Sequence, residues 1–157
     1  MSQRPIAVGV ISDTHGLLRP EATEALKGSD LIVHAGDVGG TDILEQLRAI
    51  APTFAVRGNV DTGAWAKTLP MTEVVEVGPL HLYVLHDLAT LDLDPRAAGF
   101  AAVIYGHSHR PSVETRGGVL YLNPGSVGPR RFTLPIAMAK LRVVGDRLSH
   151  EMIDLHV

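Results

Sequence analysis

At 157 residues, 45% of them hydrophobic, the chain is expected to form one domain spanning 1–157 with a substantial core. A formal charge of −3, with acids and bases intermixed, argues against stable nucleic-acid binding, and no apolar run is long enough to cross a bilayer. The lack of cysteine excludes disulfides, thiolate metal sites and a cysteine nucleophile, and suits a reducing, cytoplasmic setting.

Ile6-Ala7-Val8-Gly9-Val10-Ile11-Ser12 is an apolar, β-branched run suited to a central parallel strand. It is too short for the core of a secretory signal. It ends at Asp13-Thr14-His15-Gly16, a carboxylate and an imidazole at alternate positions. Pro20 opens a short helix through Lys27, with Gly28 placed to end it. Leu31-Ile32-Val33-His34 reads as the second strand and breaks at Gly36-Asp37. After Gly39-Gly40, Thr41 or Asp42 is expected to cap a helix running to about Ile50. A third strand, Thr53 to Arg57, stops at Gly58-Asn59-Val60-Asp61.

This β-α-β-α-β order calls for parallel strands joined by right-handed crossovers. Ligands of such sheets gather outside the carboxyl ends of the strands, where Asp13, His15, Asp37 and Asn59 all fall.

The second half changes character. Thr72 to Val77 and Leu80 to Leu85 flank Gly78-Pro79 as a strand pair, followed by His86-Asp87. Asp94-Pro95 is placed to cap a short helix ending at Gly99. Ala101 to Tyr105 reads as a buried strand ending at Gly106-His107-Ser108-His109. If the chain leaves the sheet still extended, both imidazoles lie on the same side. Ser112 to Arg116 and Val119 to Asn123 flank Gly117-Gly118, a strong hairpin signal. A loop rich in turn residues, including Asn123-Pro124-Gly125-Ser126, follows, and a last hairpin pairs Ile136 to Val144 with Arg147 to Leu155. A parallel half and an antiparallel half imply an α/β fold of two stacked sheets with helices outside.

The strand ends collect two carboxylates (Asp13, Asp37), one amide oxygen (Asn59) and four imidazoles (His15, His86, His107, His109). Oxygen and nitrogen donors without sulfur suit Mn, Fe, Zn, Ni or Co better than calcium. Seven donors exceed what one tetrahedral zinc needs and suit two ions roughly 3.5–4 Å apart sharing a carboxylate. Taken singly, each residue also has a plain reading: Asp13 and Asp37 as helix-start carboxylates, Asn59 as a turn residue, His86 as a loop histidine.

Together, Asp13-x-His15, Gly36-Asp37, Gly58-Asn59-x-Asp61, His86 and Gly106-His107-x-His109 resemble, in order, the signature of the calcineurin-like metallophosphoesterases. Length and the Asn123-Pro124-Gly125-Ser126 loop resemble the small YfcE-type phosphodiesterases. The resemblance implies a four-layer sandwich of two mixed β-sheets flanked by helices. It assigns one metal to Asp13, His15 and His109, the second to Asn59, His86 and His107, with Asp37 bridging. It further implies two divalent ions, manganese foremost, a hydroxide held between them, and a small phosphodiester as substrate. The residues expected nearest the chemistry are Asp37, Asn59, His107 and Asp61, the last as acceptor behind a ligating imidazole.

Two positions depart from the family. Val60 stands where many relatives have a histidine and cannot transfer a proton, which favours diesters over monoesters. Asp87 follows His86 where relatives commonly have glycine and then another histidine; it adds negative charge beside an anionic substrate, points to solvent, or holds His86. His34 is expected to be hydrogen-bonded near the site rather than to ligate. Arg57, Arg110, Arg130 and Arg131 are candidates for phosphate contact. The rival readings are a protein-binding scaffold on the same fold, like the retromer scaffold subunit, and a phosphomonoesterase. Association into a homodimer is also expected from small relatives.

Overall fold

A computed structural model describes residues 4–157. The first half alternates β1 (Ile6–Ile11), α1 (Pro20–Leu26), β2 (Leu31–His34), α2 (Thr41–Arg48) and β3 (Thr53–Ala55). The second half runs β4 (Thr72–Val77), β5 (Leu80–Leu85), α3 (Pro95–Ala98), β6 (Ala102–Ile104), β7 (Ser112–Arg116), β8 (Val119–Asn123), β9 (Ala137–Val144) and β10 (Arg147–Asp154).

Two five-stranded sheets result, one ordered β10-β9-β1-β2-β3 and the other β4-β5-β6-β8-β7. Both are mixed. In the first, β1, β2 and β3 are parallel while β9 pairs antiparallel to β1. In the second, β5, β6 and β8 are parallel and the edges β4 and β7 are antiparallel. The expected split into a parallel half and an antiparallel half is therefore corrected. The last hairpin returns to extend the first sheet, because β9 carries Ala139, Leu141 and Val143 into the shared core. The α3 segment separates β5 from β6 as a crossover, which lets these neighbours run parallel.

The central strands are apolar on both faces, as buried parallel strands must be. Val8, Val10, Val33, Leu82, Val84, Ile104 and Leu122 meet between the sheets. Ile11, Ile32 and Met138 face the other way and pack under Leu26 of α1 and Ile43, Leu44 and Leu47 of α2. Tyr83, Val103 and Tyr121 form the outer layer of the second sheet beneath Leu88 and Phe100. Burying a leucine or isoleucine of this kind is worth about 1.5–3 kcal/mol, so the layers are held mainly by these facing apolar rows.

Local departures are small. Gly40, extended at φ 166°, occupies the N-cap of α2 instead of Thr41 or Asp42, and the helix stops at Arg48. Strand β3 ends at Ala55: Val56 N still donates to His34 O of β2 at 3.1 Å, but Arg57 N turns to Pro70 O at 2.8 Å. Asp94 does cap α3, accepting from Arg96 N and Ala97 N, and Gly99 closes it at φ 83°.

Candidate metal centre

The carboxyl ends of β1, β2, β5 and β6 and the loop after β3 converge on one spot. Chain ends there are not extended. Asp13 (φ 57°), His15 (φ 47°), Asp37 (φ 58°), His107 (φ 75°) and His109 (φ 63°) all adopt left-handed backbone, a conformation that costs a non-glycine residue roughly 1–2 kcal/mol. Such strain is concentrated where side chains must be aimed. It also corrects the expectation that the His107 and His109 rings share a side. The chain turns instead, sending His107 to Asn59 (Nδ1 to Oδ1, 3.2 Å) and His109 to Asp13 (Nε2 to Oδ1, 3.4 Å).

Asp13 is fully buried. Its Oδ2 accepts from Ser12 Oγ at 2.6 Å and from His107 N at 3.2 Å. Its Oδ1 has no hydrogen-bond partner among the described residues. Around that oxygen stand three imidazole nitrogens: His109 Nε2 at 3.4 Å, His15 Nε2 at 3.6 Å and His86 Nε2 at 3.9 Å. Asp37 Oδ1 accepts from Val60 N at 2.9 Å, while Oδ2 lies 3.2 Å from His86 Nε2 and 3.5 Å from His15 Nε2.

His86 sets the tautomer. Its Nδ1 is 2.8 Å from Ala35 O, so Nδ1 carries the proton and donates it. In the neutral ring, Nε2 is then a lone pair aimed at Asn59 Oδ1 (3.0 Å) and Asp37 Oδ2. Lone pairs facing lone pairs, beside an orphaned buried carboxylate oxygen, form an arrangement completed by cations. The residues fit divalent ions on that ground. Two donor groups could each hold one: Asp13, His15 and His109, and Asp13, Asp37 and His86.

Burial opposes charging His86, but its contact with Asp37 and the charge of Asp13 prevail and raise its pKa. The Asp13 contact, against burial, likewise raises His15. Burial holds His109 below the ordinary value despite Asp13. For Asp37, burial is outweighed by His86 and by the Val60 amide, leaving its carboxyl at about 2.

Two glycines allow the loops to close this tightly. A Cβ on Gly58 would overlap Asp37 Oδ1 and the Asp37 backbone nitrogen. One on Gly106 would overlap Ser12 Oγ and stand 2.7 Å from Asp13 Oδ2.

Asp61 is a correction. It does not stand behind an imidazole; its carboxylate accepts from Val38 N (3.1 Å), Gly39 N (2.9 Å) and Gly58 N (2.9 Å). The amides of Val38 and Gly58 are buried with no other acceptor among the described residues, so Asp61 ties the loop after β3 to the loop after β2. His34, fully buried, joins two loops in the same way. Its Nδ1 accepts from Gly36 N at 3.0 Å, and its Nε2 lies 3.0 Å from Thr14 Oγ1, which donates to Val38 O. Burial lowers its pKa to about 4, so it is neutral.

Asp87 does not hold His86 either; it accepts from Ala89 N at 3.0 Å. Arg130 is engaged by Leu134 O and Val157 O. Sequence reasoning missed the bracket formed by Ser126 Oγ on Asp13 O (3.0 Å) and Asn123 Nδ2 on Gly106 O (3.0 Å). The cluster of turn residues at 123–126 was its one signal.

The fold and donor set describe a phosphoesterase of the metal-dependent kind, and the comparisons agree. The profile of the calcineurin-like phosphoesterase superfamily domain matches residues 6–146. A probable metallophosphoesterase of Methanothermobacter thermautotrophicus is 35% identical over 93% of this chain and 91% of its own length. Phosphodiesterase YfcE of Escherichia coli K12 is 29% identical over 74% and 76%. The chain belongs to the calcineurin-like phosphoesterase superfamily. Among solved structures, Vps29 of Cryptosporidium parvum matches with a TM-score of 0.77 at 19% identity, covering 96% of this chain and 97% of that one. At that identity the likeness concerns the fold alone.

Proposed function

We propose that the chain is a metal-dependent phosphodiesterase acting on small phosphodiesters through a pair of divalent ions, manganese first among the Mn, Fe, Zn, Ni or Co that mixed oxygen and imidazole donors accept. Asp13, His15 and His109 would hold one ion and Asn59, His86 and His107 the other, with Asp37 shared. The observation that carries this reading is the position of Asp37 Oδ2, within 3.5 Å of His15 Nε2 on one side and 3.2 Å of His86 Nε2 on the other. Divalent ions held by these residues would supply positive charge to phosphoryl oxygens and lower the pKa of a water.

The remaining work falls to the chain. Ala35 O keeps the His86 lone pair turned inward, a placement typical of ligating imidazoles. Val60 N fixes Asp37 Oδ1 and leaves Oδ2 to the site. The Val60 side chain has no proton to give, so the leaving oxygen departs unaided by it, which suits diesters with good leaving groups. A protein-binding scaffold would give this donor set no task, yet all seven side chains are present.

The test is hydrolysis of bis(p-nitrophenyl) phosphate by the purified protein with Mn²⁺, beside calorimetric titration of the metal-free chain. Two ions bound per chain and turnover lost in Asp37→Ala support the reading. Full turnover in Asp37→Ala, or none in the parent with Mn²⁺, Ni²⁺ or Zn²⁺, overturns it.

A further inference from the structure

Beside the Asn59, His86 and His107 side of the centre lies a cavity of about 590 Å³, whose wall carries Arg57, Asp87 and Asp92. That volume is in the range of small-molecule pockets. Asn59, His86 and His107 line it as well, so a phosphoryl group held at the centre would send one ester arm into it. We propose that this cavity selects the arm of the diester, accepting one that carries hydrogen-bond donors and no negative charge: a polyol or an alkylammonium group. The proposal rests on the phosphodiesterase reading above.

The wall residues divide the work. Arg57 Nε donates to Met71 Sδ at 3.3 Å, a weak acceptor, so most of its fork remains for a phosphoryl oxygen. Among the described residues the Asp87 carboxylate bonds only through Oδ1, to Ala89 N, and its other oxygen and the Asp92 carboxylate are left to a ligand. Two carboxylates beside the reacting phosphoryl repel an arm that ends in an anion, and they accept charge-assisted bonds from hydroxyl or ammonium groups. They also disfavour the second negative charge of a phosphomonoester, in line with the missing proton donor at Val60. Thr90 Oγ1 donates to Asp87 O at 2.7 Å and so steadies the turn that carries the carboxylate.

Four p-nitrophenyl diesters with one common leaving group test this: glyceryl, choline, methyl and 2-carboxyethyl phosphate. In each, a water oxygen bonds to phosphorus, the aryl P–O bond breaks and p-nitrophenolate leaves, while one of the water's protons passes to solvent and the other stays on the monoester product. With the Mn²⁺-loaded protein, kcat/KM for the glyceryl or choline ester should exceed that for the methyl ester about ten-fold, the usual worth of one bond to a charged group. The carboxyethyl ester should fall about ten-fold below it. Asp87→Asn and Asp92→Asn preserve shape and capping; together they should bring the glyceryl and carboxyethyl esters within about three-fold of each other. Binding of the uncleaved methylphosphonate esters of glycerol and 2-carboxyethanol, read by calorimetry, should follow the same order. A preference for glyceryl alone identifies a polyol arm, and for choline alone an alkylammonium arm. Equal rates on all four esters overturn the inference while leaving the phosphodiesterase reading in place. If none is cleaved, that reading falls and the inference with it. A gap that survives the double variant also overturns it.

Discussion

His15 Nε2 and His109 Nε2 stand 3.2 Å apart, each aimed at the same buried oxygen of Asp13. Two neutral imidazoles cannot both accept at that distance, so the metal-free protein must place a proton between them. The neighbours divide the pair: contact with Asp13 raises His15, and burial lowers His109. In an NMR titration of the metal-free chain, His15 should ionise above 6.5 and His109 below it. For His15 the sign is that of a raised base: its contribution to stability is present at low pH and is lost as pH rises through its folded value. Adding Mn²⁺, or diamagnetic Zn²⁺ for the spectra, should abolish both titrations, since a bound ion needs the unprotonated rings.

Asp61 accepts three backbone amides from two loops. Asp61→Ala leaves the buried amides of Val38 and Gly58 unpaired and should cost about 2–4 kcal/mol in urea unfolding. Asp61→Asn keeps one acceptor oxygen and should cost less. Because the loops carry Asp37 and Asn59, metal affinity should fall in both variants in the same order.

The strands, the layers and the convergence of seven polar side chains at one place were legible in the sequence because each leaves a local mark: an apolar β-branched run, a glycine stop, a polar residue at the strand end. What was not legible is how the chain turns after the strand. His107-x-His109 has the spacing of an extended segment, yet both residues are left-handed, and only the pull of Asp13 and Asn59 from distant loops explains it. The partners of Asp61 and Asp87 were hidden for the same reason. Backbone amides and carbonyls leave no trace in residue identity, so a carboxylate that serves Gly58 N looks the same as one that serves a histidine.

His34 predicts a pH effect separate from the metal centre. Burial depresses its pKa from 6.5 to about 4, so between those values the unfolded chain binds a proton that the folded chain refuses. Stability therefore falls as pH drops from 6.5 towards 4 and is fully present above 6.5. A shift of this size corresponds to roughly 3 kcal/mol. In His34→Gln that share of the pH dependence should vanish, leaving a flatter curve of unfolding free energy between pH 4 and 6.5. An unchanged curve would mean that His34 is not the proton-excluding group. The variant should also be less stable at pH 7, since glutamine cannot meet both Gly36 N and Thr14 Oγ1 as the imidazole does.

Gly106 separates a packing role from a ligand role. An alanine there brings a methyl against Ser12 Oγ and within 2.7 Å of Asp13 Oδ2, neither on the end of a long flexible side chain. Relief requires Asp13 to move, and its Oδ1 moves with it, away from His15 and His109. Gly106→Ala should therefore lose affinity for the ion held by these three residues more than for the ion on the Asn59 side, read as unequal weakening of two calorimetric binding steps. Overpacking of this kind costs about 1–3 kcal/mol, small enough for the chain to stay folded. Ser12→Ala relieves half of the clash and should restore part of the lost affinity in the double variant. Equal loss at both steps would instead place the effect in the whole loop. Gly58→Ala meets Asp37 itself, and there both steps should weaken together, because that carboxylate stands between the two groups of donors.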